Sequence, residues 1–381
     1  SEGRNVIEFT GSGGAKIEFA INYQPQTNPN YVRVIWMTDR TENTDYAVPD
    51  ESYEQDYVSR LQTAAELMQC FTAERMNDAG LGRRTFRLER DETGQVVVHT
   101  WSARFDAEQY YAMNDQEWYH HVNQWINSTY PDENAKNIVL AAFTRKDPES
   151  GRMKAHTALG GGNMGLFGSA SVFSWPVSIE ATTATFLDTS QFDTTKVHDD
   201  SVWRSNIWGL ASTTIGATLH EMGHAFGLMH VEDERGIMRR GFDQFNRTFT
   251  FVDPPSGVNP RAVFFDSDRE AHFAPISSSM LQWSRWFQLD STPRQESDRV
   301  AIKFDLELDA YIFESESGIP WIGFLTGNFD VTAYLEFESS DIKTKVILTR
   351  DQINDLVGID SAVAMIAIDR AGNIGRKDIN N

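Results

Sequence analysis

His220 and His224 stand four residues apart with Glu221 beside the first, in the run Leu219-His220-Glu221-Met222-Gly223-His224-Ala225-Phe226-Gly227-Leu228-Met229-His230. Residues four apart on a helix share a face, so both imidazoles aim at a single ion. Ile215, Leu219, Met222 and Phe226 form an apolar stripe on the opposite side that anchors the helix in a core. Gly227 can take a left-handed conformation, end the helix and turn the chain back, so that His230 supplies a third nitrogen. Three neutral imidazoles leave a fourth position for water, which is the open geometry of catalytic zinc. A carboxylate at Glu221 is placed to take a proton from zinc-bound water and return it to a leaving amine. The spacing therefore predicts one catalytic Zn2+ held by His220, His224 and His230, with Glu221 as general base.

Regular elements must position these groups. Tyr31 to Thr38 is β-branched and aromatic and predicts a buried strand, followed by an amphipathic helix from about Ser52 to Asn77 closed by Gly80. Thr85 to Arg90 and Gln95 to Trp101 alternate around Asp91-Glu92-Thr93-Gly94 and predict a hairpin. A helix over Asp115 to Asn127 carries Trp118, Val122 and Trp125 on one face, and Lys136 to Phe143 predicts another buried strand. The Gly- and Ser-rich stretch from Met153 to Ile179 predicts short strands and loops. The histidine-bearing helix should begin near Ser201 or Ser205 and run to Phe226, with one more helix over residues 276–289. That alternation argues for an α/β (α+β) unit with a mixed sheet over residues 1–292. A polar boundary, Asp290 to Asp298, precedes strands at regular spacing, so residues 299–381 predict a small all-β sandwich.

The longer pattern H-E-x-x-H-x-x-G-x-x-H, followed by Met238, resembles the signature of the metzincin zinc endopeptidases. The resemblance spans roughly residues 30–290 and implies a metzincin-like catalytic domain with Met238 as the Met-turn beneath the metal. In several metzincins a tyrosine two residues after that methionine ligates zinc. Arg240 stands at that position, so no tyrosine ligand is expected. Two further stretches, Ala155 to Ser169 with Ser174-Trp175-Pro176, and Gly236 to Phe249, are similar to a little-characterised family of metallopeptidases from fungi and other eukaryotes. The clan resemblance also implies an open sheet edge ahead of the active-site helix, to which an extended substrate pairs. Gly165, Leu166, Phe167, Gly168 and Ser169 are the residues expected to form it.

Composition narrows the partners. The 381 residues carry 55 acidic against 34 basic side chains, a net charge of −21 that repels phosphate backbones, so no nucleic-acid partner is expected. No apolar run approaches the roughly 18 residues of a membrane span. One cysteine, Cys70, allows no intrachain disulfide, and its place in a helical pattern suggests a small core residue. Gly160 to Gly165 fits G-x-G-x-x-G, but the residues after it predict a strand where a dinucleotide site needs a helix. His156, His272 and the pair His120-His121 are read as surface or structural histidines. Ser-Glu-Gly-Arg at the start suggests a processed or truncated end. Ile366 to Asn373 resembles the last strand of immunoglobulin-like modules in secreted bacterial proteins, which favours an extracytoplasmic setting. The expected function is zinc-dependent endopeptidase activity on a protein or peptide substrate. The alternatives are a catalytically silent zinc-binding protein whose β-domain recognises a partner or glycan, and a hydrolase of non-peptide amides.

Overall fold

The computed structural model describes residues 2–289, 299–327, 330–359 and 361–379. An antiparallel pair, β1 (Gly3–Thr10) and β2 (Lys16–Tyr23), precedes β3 (Tyr31–Thr38), α1 (Tyr57–Asp78), β4 (Val98–Ser102), a short α2 (Ala107–Tyr111) and α3 (Asp115–Thr129). Next come β5 (Ala135–Ala141), the two-residue strands β6 (Arg145–Lys146) and β7 (Met153–Lys154), the hairpin β8 (Ala158–Gly161) and β9 (Met164–Gly168), α4 (Thr182–Thr185) and α5 (Ile207–Ala225). The pair β10 (Val252–Asp253) and β11 (Val263–Phe264) leads to α6 (Pro275–Trp283).

The main sheet runs β4-β3-β5-β9-β8, parallel except for β8. The period of two in β3 sorts its side chains between two layers. Val32, Val34 and Trp36 join a core with Leu61 and Phe71 of α1 and Leu210 and Ile215 of α5. Ile35 and Met37 face the other way, onto Trp118, Val122 and Ile126 of α3. The sheet is therefore covered on both faces, as a parallel sheet requires, and α5 is held against one of them.

Beyond residue 298 the chain forms β12 (Ala301–Asp305), β13 (Ala310–Ile319), β14 (Trp321–Thr326), β15 (Asp330–Glu336), β16 (Lys343–Thr349), α7 (Arg350–Val357), β17 (Ala362–Ile368) and β18 (Ile374–Asp378). They make two antiparallel sheets, β12-β13-β16 and β15-β14-β17-β18. Phe313, Ile322, Phe324, Val346 and Met365 from both sheets share one apolar cluster. The other face of β14 and β17, with Trp321, Ile366 and Ile368, joins Leu281, Trp286 and Phe287 in the main core. The polar boundary Asp290 to Asp298 lies outside the described residues.

Several expectations change. The segment Thr85 to Trp101 is not a two-stranded hairpin: Leu88 and then β4 align parallel with β3, and only Arg90 and Val96 bridge across the turn. Pairing with the buried β3 provides more apolar contact than the isolated turn could. Cys70 is exposed on the outer side of α1 rather than in its core. The pair β1–β2, with almost all of its length exposed, was not anticipated, and neither were β13, α7 and β18.

Candidate active site

Asn206 caps α5 by accepting a hydrogen bond from Gly209 N–H at 3.0 Å, and every residue of the helix except His224 is buried. Trp175 Nε1 donates to Thr214 Oγ1 at 2.8 Å, tying the chain after β9 to the middle of the helix. At the other end Gly227 takes φ +94°. Leu228 N–H donates to Gly223 O at 2.9 Å and Gly227 N–H to His224 O at 3.0 Å, the bond pair of a Schellman stop. This turn carries His230 back toward the helix. Its carbonyl accepts from Val331 N–H of β15 at 3.2 Å, so the C-terminal sheet helps hold the third histidine.

Two carbonyls decide how the imidazoles point. His220 Nδ1 lies 2.7 Å from Ile237 O and His224 Nδ1 lies 2.9 Å from Leu228 O. A carbonyl can only accept, so both Nδ1 atoms carry the proton and both Nε2 atoms present lone pairs. His224 Nε2 sits 3.1 Å from His220 Nε2 and 3.2 Å from His230 Nε2. Two ligands about 2.0–2.1 Å from one ion at tetrahedral angles stand about 3.3–3.4 Å apart. The three nitrogens therefore fit zinc, with carbonyl partners of the kind that orient metal-bound histidines. Burial, with His224 alongside, pushes His220 down to about 3, and burial lowers His224 as well. Both rings are neutral at pH 7.

Glu221 is 7% exposed, and burial pushes its carboxyl up to about 8. A divalent cation alongside acts in the opposite direction and favours the carboxylate. β8 crosses directly over this residue: a Cβ on Gly160 would come within 2.1 Å of Glu221 O. Tyr119 Oη donates to Gly161 O at 2.7 Å and fixes the end of the hairpin strand. Beneath the helix, Met238 is fully buried, and a Cβ on Gly223 would reach its Sδ at 2.3 Å. Phe242 stands 5.3 Å from the His220 ring, and Arg240 stacks 4.6 Å over Phe242 while pairing with Asp243 at 3.0 Å.

The structure thus gathers His220, Glu221, His224, His230 and Met238 at one place. It does not give Gly165 to Ser169 the role expected of them. β9 is wholly buried and bonded to β5 on one side and β8 on the other, and Ser169 begins a 3-10 turn. The edge strand on this side of the sheet is β8, because the tight turn after Gly161 folds the chain so that β8 lies outermost. Sequence reasoning missed Gly160, Tyr119 and Phe242; the glycine run around Gly160 was the signal available for the close approach. His272 binds Asp233 at 2.7 Å, as a structural histidine does. Gly160 to Gly165 form a hairpin with no helix behind it, which disposes of the dinucleotide pattern.

A family described as "Putative peptidase family" (Metallopep) matches residues 1–320. The chain belongs to that family. Among curated proteins it is 29% identical over 340 residues to a "Putative zinc metalloproteinase" of Schizosaccharomyces pombe, covering 83% of this chain and 55% of the relative. It is 25% identical over 224 residues to a "Putative zinc metalloproteinase" of Saccharomyces cerevisiae, covering 50% of this chain and 31% of that one. The chain therefore spans about half or less of the length of these relatives. Among solved structures, OgpA from Akkermansia muciniphila superposes with a TM-score of 0.53 at 15% identity, covering 94% of both chains. A catalytically inactive OgpA in complex with an O-glycopeptide substrate superposes equally well, with a TM-score of 0.53 at 14% identity. The fold is shared at that level. Among the described residues no helix is long and apolar enough to cross a membrane.

Proposed function

We propose that this chain is a zinc-dependent endopeptidase in which His220, His224 and His230 hold the ion and Glu221 moves the protons. The observation that carries the reading is the convergence of three Nε2 atoms, at 3.1 and 3.2 Å, beside a buried carboxyl group. Membership of a peptidase family and the zinc in the relatives' names support it. Zinc, when bound, supplies a Lewis acid that makes a water acidic and draws charge onto the scissile carbonyl oxygen. Glu221 takes the proton from the attacking water and delivers it to the leaving nitrogen, so no covalent link to the protein forms. Its burial keeps bulk water from competing for that proton.

The free edge of β8 aligns the substrate. An extended peptide adds as a further strand to Ala158–Gly161 and passes over Glu221, because β8 itself rests on that residue. Met238 serves as the Met-turn, supporting the helix at Gly223, and Phe242 with Arg240 lines the wall beyond His220. Residues 1–292 form the catalytic part and residues 299–381 an accessory β-domain that steadies His230 through Val331.

The test is a mass-spectrometric digest of a peptide library that includes O-glycosylated members, comparing the native chain with Glu221→Ala. Internal cuts made only by the native chain, with several residues preferred on both sides of the bond, are expected. Identical spectra from the two proteins contradict the proposal and favour a zinc protein that only binds.

A further inference from the structure

Three side chains outside that site converge from two separate segments. His156 lies just ahead of β8, while His198 and Asp200 lie in the stretch before α5. Their ligand-capable atoms all fall within 4.8 Å of one another. His156 Nε2 is 3.7 Å from Asp200 Oδ2, too long for a hydrogen bond. It is shorter than the roughly 4.2 Å that two bonds of about 2.1 Å to one ion can span. The His156 and His198 rings are 5.2 Å apart, within the 4.7 to 5.3 Å separating the three rings of the main site.

The surroundings are shaped for this arrangement. His156 Nδ1 is buried with no hydrogen-bond partner, and the ring is seated by space left at Gly168, where a Cβ would come within 2.8 Å of that nitrogen. The neighbouring carboxylates divide their tasks. Asp199 turns inward, accepting from Ser201 N–H at 3.0 Å and from Ser205 Oγ at 2.8 Å, which leaves Asp200 turned toward His156. The same stretch holds Val202, Trp203 and Ser205 at φ +55°, +66° and +56°. Non-glycine residues, a β-branched valine above all, keep such angles only where other contacts enforce them.

We propose that His156, His198 and Asp200 bind a second divalent transition-metal ion, zinc foremost, which staples the strained segment before α5 to the β8–β9 hairpin. Two imidazoles and one carboxylate form a nitrogen-rich set that suits zinc better than calcium or magnesium, which favour all-oxygen sites. Burial keeps His198 below its ordinary range, on the neutral side that a ligand needs. The charge of Arg240 acts on both Asp200 and His220, so the two clusters flank one arginine. The second ion ties the stretch before α5 to the residues that lead into β8.

Zinc content settles the matter. The full chain is stripped with chelator, reloaded with Zn2+ alone, dialysed and measured by native mass spectrometry with elemental analysis. Two zinc ions per native chain are expected, falling to one in His198→Ala and in Asp200→Asn. His224→Ala should keep the second ion and lose the first. One zinc in the native chain overturns the proposal, and so do two that survive in both His198→Ala and Asp200→Asn. Should one variant fail to fold, the other still reports whether the second ion depends on this cluster.

Discussion

At the main site the three histidines come from one helix and the turn that ends it, whereas His156, His198 and Asp200 come from two segments joined only by tertiary packing. In the first cluster the Ile237 and Leu228 carbonyls orient two of the three imidazoles, those of His220 and His224. The second has no such partner for His156, whose Nδ1 is buried without a bond. The nitrogen pairs of the first stand at 3.1 and 3.2 Å, and in the second His156 Nε2 stands 3.7 Å from Asp200 Oδ2. Local backbone geometry sets the spacing of one site, while tertiary packing alone sets that of the other. The first should therefore bind tightly and do chemistry, and the second should bind more weakly and hold structure.

Substitutions can break that contrast, beginning with the largest effect. His224→Ala should cut peptide cleavage by about 10³-fold or more, measured as kcat/KM, whereas His156→Ala should leave most of it. A comparable loss in both would erase the distinction between the sites. Gly160→Ala should come next. Its Cβ would meet Glu221 O at 2.1 Å, so β8 must lift from α5. A displacement of that kind costs about 10²-fold in turnover, and an unchanged kcat/KM would remove β8 from the account. Gly223→Ala presses on Met238 Sδ and should weaken zinc binding at the main site about tenfold, read by competition with a chelating dye.

The smallest effect is one of pH. In chelated protein the Glu221 carboxyl lies at about 8 when folded, above its ordinary 4.5. The folded chain then holds the extra proton between those values, so this group's contribution to stability falls as pH rises from 4.5 to 8. Glu221→Gln removes that penalty. It should raise the Tm of the chelated protein by a few degrees at pH 8 and by little at pH 4.5, measured by calorimetry. A gain independent of pH would mean that the carboxyl is not held in the protonated state.

The same contrast explains what could be read from the residues. His220, Glu221, His224, Gly227 and His230 were legible because one helical turn and one glycine stop set their geometry, and φ +94° at Gly227 fulfils that reading. Strand β3 was legible to the residue, and α1 and α3 nearly so, because a run of apolar residues carries its own period. Gly165 to Ser169 failed for a tertiary reason: which strand forms an edge depends on partners such as β5, far away in sequence. β13 was obscured by Glu314, Ser315, Glu316 and Ser317, where the register with β16 shifts and the apolar alternation breaks. The β1–β2 pair leaves both faces to solvent, so no buried stripe marked it. His156 read as an ordinary histidine because His198 and Asp200 approach it only in the folded chain.

The most direct measurement is turnover and zinc content on the same preparation of Glu221→Gln. A fully loaded main site and a loss in kcat of about 10³-fold or more are expected, since only the proton carrier is gone. A loaded Glu221→Gln protein that still cleaves peptides at the native rate would contradict that role of Glu221.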